Sequence, residues 1–220
     1  MKSSYPTGRT ALLLVDPYND FLSEGGKLYE RAKPIIESVG TIDNMKKIVL
    51  AFRSAGLPIF YVPHHRALPT DFSGWRNVTP YQQGAHHAQV FAVGTWGGEW
   101  HPDFVPQPQD IMIKEHWSSG FAGTDLDTQL TQHGVERVVL VGMLANTCLE
   151  ATGRYAMELG YHVTLVRDAT AAFTDEAMHA AHNINGPTYT HAILATQELL
   201  GLLPRGGNLS AARSIEGAKT

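Results

Sequence analysis

Short, wholly apolar runs recur along this chain between stretches of helical length, and no hairpin signal joins one run to the next. Residues 10–16, 57–62, 110–114, 137–141 and 161–166 read as strands, several closed by glycine or proline, and 191–194 adds a short edge strand. Helical spacing and end signals fall between them, at 34–55 with Pro34 in the first turn, 124–133 with Thr124 or Asp125 near its cap, 149–159, 175–185 and 196–202. Strands that alternate with helices require right-handed crossovers. The expected fold is therefore an α/β domain, a doubly wound and mainly parallel sheet with helices on both faces. Ligands bind such sheets at the carboxyl ends of the strands.

A chain of 220 residues, 43% of them hydrophobic, suffices for one such domain with a full core. Residues 64–108 have no sustained period and are rich in Gly, Pro, Trp and His, which suggests a long loop serving substrate selection or an interface. Residues 205–220 read as a peripheral tail. One cysteine excludes an internal disulfide, and no basic-then-apolar leader opens the chain, so a reducing cytoplasm is the expectation. The apolar runs are too short to span a membrane, and a net charge of -4 with scattered Lys and Arg offers no stripe to nucleic acid. A small-molecule substrate fits better, with the protein expected to assemble as a homo-oligomer.

Three chemically suggestive residues fall at strand ends. Asp16 closes the first strand, Lys114 closes another, and Cys148 follows the strand 137–141 where a helix begins. Unpaired N–H groups at a helix N-terminus favour a thiolate, which would make Cys148 a nucleophile; the alternative is a small buried hydrophobe. His64-His65 and His86-His87 invite a metal reading, but adjacent imidazoles project differently and rarely share one ion, and no cofactor or metal is expected. Asp20 fits a structural role, accepting hydrogen bonds from a turn. Tyr18 and Asn19 follow the first strand and could line a cleft, as could Trp75, Tyr81, Trp96, Trp117 and Phe121 in the irregular segments.

The sequences Leu14-Val15-Asp16-Pro17-Tyr18-Asn19-Asp20-Phe21, Ile113-Lys114 with Ser118-Ser119-Gly120-Phe121 and Gly123-Thr124-Asp125-Leu126, and Gly142-Met143-Leu144-Ala145-Asn146-Thr147-Cys148 occur in that order. In this the chain resembles the isochorismatase-like cysteine hydrolase superfamily, whose amidohydrolase members include nicotinamidases, N-carbamoylsarcosine amidases, and biuret and ureidoacrylate hydrolases. The resemblance implies a catalytic triad of Asp16, Lys114 and Cys148, an oxyanion hole from the N–H groups of Leu144 and Cys148, and a cis peptide between Met143 and Leu144. It also implies hydrolysis of a carbon–nitrogen bond in a small amide, ureido, carbamoyl or lactam substrate through a covalent acyl-enzyme. Metal-dependent relatives carry an aspartate two residues before a histidine at the end of the second strand, where this chain has Val62-Pro63-His64. Two other functions compete. One is isochorismatase-type vinyl ether hydrolysis, whose enzymes do not need the cysteine; the other is a catalytically silent interaction module.

Overall fold

Alternate residues of each strand go to opposite faces, and here both faces are apolar, so the strands must be covered on both sides. The computed structural model describes residues 5–204, and the expected tail at 205–220 lies outside them. Six strands, β1 (Thr10–Val15), β2 (Ile59–Val62), β3 (Ile111–Met112), β4 (Arg137–Met143), β5 (His162–Ala171) and β6 (Ala192–Leu194), form one sheet in the order β3-β2-β1-β4-β5-β6. Every pairing is parallel, as the doubly wound expectation requires.

The alternation sorts the core into two layers. Leu12, Leu14, Ile59, Tyr61, Val139 and Val141 pack on one side, against Ile35, Ile36, Met45, Ile48 and Phe52 from the helices Tyr29–Val39 and Thr41–Ser54 and Leu199 from Thr196–Leu202. Ala11, Leu13, Val15, Phe60, Val138 and Leu140 pack on the other, against Leu126 and Leu130 of helix Leu126–Gln132 and Ala156 of helix Glu150–Glu158. Each of the Val, Leu, Ile, Phe and Met side chains among them, fully buried, stabilises by about 1.5–3 kcal/mol before conformational entropy is counted.

Local departures from the expected elements have identifiable causes. The stretch 34–55 is two helices, broken at Gly40, which adopts φ 69° as a left-handed cap. Pro34 lies inside the first of them, which begins five residues earlier at Tyr29. The 64–108 region contains a helix, Pro80–His87, closed at its start by a reciprocal capping box between Thr79 and Gln82. It buries none of its residues completely, so no apolar stripe marks it. No helix of the described residues is long and apolar enough to cross a membrane.

Candidate active site

β1 and β4 are neighbours at the point where the strand order reverses, which is where an open parallel sheet parts to admit a ligand. Val15 pairs with Gly142 there, and any Cβ on Gly142 would collide with the Val15 carbonyl. Glycine at 142, with φ 120°, therefore lets the two strand ends close up. The next residue of β1 is Asp16, held at φ 53°, unusual for a side-chain-bearing residue although aspartate tolerates it better than most. Its N–H is fixed by the Val62 carbonyl of β2, and its own carbonyl accepts from Tyr18.

β4 runs into a cis peptide between Met143 and Leu144, the linkage implied by the resemblance. The chain then makes one wide helical turn, Ala145–Leu149, before tightening into the helix Glu150–Glu158. Cys148 sits in that wide turn. Burial pushes its thiol well above the ordinary value, and the charge and acceptor of Asp16 push it further; hydrogen bonds from the Thr147 side chain and Leu144 backbone act in the other direction and are outweighed. The helix-start argument for a resting thiolate is thus overturned by desolvation: Cys148 rests as a neutral thiol beside a carboxylate.

The Asp16 carboxylate is completely buried. Its Oδ1 meets Nε2 of His116 at 3.1 Å, while Oδ2 has no hydrogen-bond partner among the described residues. His116, also completely buried in its side chain, occupies the place expected of Lys114. Lys114 is exposed, and its backbone N–H donates to Asp125 Oδ1 at 2.9 Å; its charge acts on Asp125. The cause is a slip in register. β2 and β3 pair Phe60 with Ile111 and Tyr61 with Met112, but His64 then bridges His116, so one extra residue has entered on the β3 side. Lys114 keeps the outward side it shares with Met112, opposite buried Ile113, and a one-residue slip beyond it exchanges the faces and turns the His116 imidazole in.

Cys148 and Thr147 border a cavity of about 310 Å³. Its walls include Phe21, Phe72, Tyr81, Phe91 and Trp117, with His64, His65 and His86 supplying imidazoles. Burial holds the His64 pKa below its usual value despite nearby Asp16. Asp16 and His116 do not line the cavity, so Cys148 is the member of the buried group that the cavity reaches. Among the described residues no three or more His, Cys, Asp or Glu are disposed to hold a metal ion.

Of the expected cleft-lining residues, Tyr81 and Trp117 line this cavity. Tyr18 is buried between Phe91 and Trp100, with ring centroids at 4.9 and 4.8 Å, and donates its hydroxyl to the His64 carbonyl. Asn19 is buried and spends its amide on the Trp96 carbonyl and Ser23 hydroxyl. Trp96 and Trp75 are exposed outside the lining; Trp75 packs on Phe72 and Trp117 behind the wall. Phe121 lies outside the lining, in the core layer that also holds Cys148, against Tyr155 and Tyr161. Sequence reasoning missed His116, Phe72 and Phe91. The helix bearing Tyr81 had a visible signal in Thr79-Pro80-Tyr81-Gln82, a capping box with proline at the first turn.

Comparison with known proteins follows the same lines. Residues 10–198 match the model of the Isochorismatase domain. The ureidoacrylate amidohydrolase RutB of Pantoea ananatis is 30% identical over 172 residues, covering 74% of this chain and 69% of that protein. RutB of Acinetobacter baylyi is 27% identical over 212 residues, covering 92% and 86%. Among solved structures, the N-carbamoylsarcosine amidase of Thermoplasma acidophilum matches with a TM-score of 0.62 and 27% identity, over 86% of this chain and 96% of that one.

Proposed function

The chain belongs to the isochorismatase family, and on that premise we propose that it is a cysteine hydrolase that cleaves a carbon–nitrogen bond of a small amide, ureido, carbamoyl or lactam compound. The observation that carries this reading is the pairing of a cavity-lining thiol with a buried carboxylate whose Oδ2 is open. The names of the relatives, ureidoacrylate amidohydrolase and N-carbamoylsarcosine amidase, support the bond class.

In the proposed mechanism Asp16 takes the thiol proton as Cys148 Sγ attacks the substrate carbonyl carbon. The proton then passes to the leaving nitrogen, which departs as ammonia or an amine. A water, deprotonated by the same carboxylate, attacks the resulting thioester and releases the acid. A thiol whose pKa is raised suits this route, because charge on sulfur is created only as the new bond forms and the carboxylate is neutralised at the same moment. The N–H groups of Leu144 and Cys148 are the proposed donors to the carbonyl oxygen, which becomes negative in both steps. His116 replaces Lys114 in the mechanism: hydrogen-bonded to Oδ1, it fixes the carboxylate with Oδ2 free for the proton.

The test is release of ammonia or amine from a panel of small amides, carbamoyl amino acids, ureides and lactams, with native protein and Cys148→Ala side by side. Turnover should fall at least about 10³-fold in the variant, and an acyl adduct on Cys148 should be detectable by mass spectrometry in the native protein alone. Equal turnover by the two proteins would remove the covalent route.

A further inference from the structure

The cavity over Cys148 is walled by carbon. Phe21, Phe72, Phe91 and Trp117 supply rings, with Leu28 and Val90 between them, and among the described residues no Lys or Arg lines it. The neighbouring cations are engaged elsewhere. Arg66 is bonded to Glu115 at 2.6 Å, Arg31 lies over the Phe173 ring at 4.2 Å, and Lys27 donates to the Gln89 carbonyl. The one carboxylate in the lining, Asp71, already accepts from Leu68 N at 2.8 Å and pairs with His65 Nε2 at 2.9 Å, and Asp16 adds a second acid beside the sulfur. A substrate carboxylate entering here would lose its hydration, meet no Lys or Arg of the described residues in the wall and approach two acids.

A neutral ring would instead find flat partners. Trp117 is layered against His65 with centroids 4.0 Å apart, and Phe72 packs on the Trp117 ring at 4.9 Å. Polar side chains share the wall, with Tyr81, Gln82, Ser118 and Thr147 among its lining residues, and the Tyr81 phenol lies near enough to Cys148 for the two to interact electrostatically.

We propose that the substrate of this site is an electrically neutral amide or ureide whose bulk is apolar and ring-bearing and carries no carboxylate. This deepens the hydrolase reading and rests on Cys148 as its nucleophile. It also separates the chain from its named relatives, since ureidoacrylate and N-carbamoylsarcosine both contain a carboxylate.

The experiment uses matched pairs, phenylacetamide against 4-carboxyphenylacetamide and phenylurea against 4-carboxyphenylurea. Binding to Cys148→Ala is followed by tryptophan fluorescence, and kcat/KM is measured on the native protein. The neutral member of each pair should be favoured by roughly 100-fold or more in both measurements. Gln82→Arg, which puts a guanidinium on the cavity wall, should narrow that ratio while its melting curve reports whether the fold is kept. Equal or better use of the carboxylate-bearing members would overturn the inference and leave the hydrolase reading standing. Selective binding of the neutral members with no turnover and no acylation of the native protein would support the inference and remove the hydrolase reading. Binding of neither member would overturn the inference.

Discussion

Asp16 and Asp20 lie four residues apart, equally buried, and differ in what surrounds them. Around Asp20 every acceptor is used: Oδ1 takes the Lys27 N–H at 3.0 Å, Oδ2 takes the Phe91 N–H at 2.7 Å, and Gly97 packs so closely that a Cβ there would overlap the carboxylate. That aspartate ties the turn after β1 to the distant 89–100 segment, as its place in the first motif suggested. Around Asp16 one oxygen is held by His116 and the other is left open beside a thiol. A buried charge that is fully bonded maintains structure, whereas one that is half bonded holds the capacity to accept a proton. The comparison teaches that burial alone does not separate the two roles; the tally of hydrogen bonds does.

Replacing each aspartate by asparagine should pull the two regions apart. Asp16→Asn removes the base and should lower turnover by at least about 10³-fold with the melting temperature unchanged or raised, because an isosteric amide relieves an incompletely solvated charge. Asp20→Asn turns an NH2 group against a backbone N–H and loses charge-assisted bonds. It should cost about 2–3 kcal/mol in denaturant unfolding while leaving kcat/KM per folded molecule within a few-fold. If Asp16→Asn destabilised as much as Asp20→Asn and kept its activity, the contrast would be broken.

His116 and Lys114 sharpen the same contrast at smaller amplitude. His116→Leu should reduce kcat by about 10–100-fold, because the Asp16 carboxylate loses the hydrogen bond that holds Oδ1. Lys114→Met should leave kcat unchanged, since that side chain stands in solvent beside Asp125. A loss of turnover in the lysine variant, with none in the histidine variant, would restore the triad expected from the motifs.

How far the sequence could be read follows from the same residues. Asp16 and Cys148 were legible because the first directly follows a strand and the second lies in the turn after another, each strand with an apolar run and a glycine or proline boundary that fixes its end, and strands of one parallel sheet must bring those ends to one edge. The sheet and its two layers followed from the same runs. His116 was not legible, because the extra residue that slips β3 against β2 leaves no mark on a segment with only two paired strand residues. The cavity wall was only partly legible. Its rings come from Phe21, the Phe72 turn, the exposed helix Pro80–His87 and the segment around Phe91, and no periodicity links positions that meet only through tertiary packing. The resting state of the sulfur depended on burial, which a strand-to-helix pattern cannot measure.

The smallest expected effect is on stability against pH, where the two regions should again diverge. Cys148 has a folded pKa raised well above its ordinary 9.0, chiefly by burial and then by Asp16. The folded chain therefore holds this proton after the unfolded chain has released it. The associated stability is fully present below pH 9.0 and is lost as pH climbs toward the folded value, by at most ~1.4 kcal/mol per pH unit for one proton. Tyrosines complicate the higher range: Tyr61 is pushed up to about 12 by burial, and Tyr18 is raised further for the same reason, so their contributions begin as pH passes 10.0. Between 9.0 and 10.0 the thiol dominates. Urea unfolding across that window should show Cys148→Ala with a flatter decline than the native protein, while Asp20→Asn declines in parallel with native from a lower start. Coincident slopes for native and Cys148→Ala would mean that the thiolate meets as much stabilisation in the fold as in water, and the neutral resting thiol beside Asp16 would have to be given up.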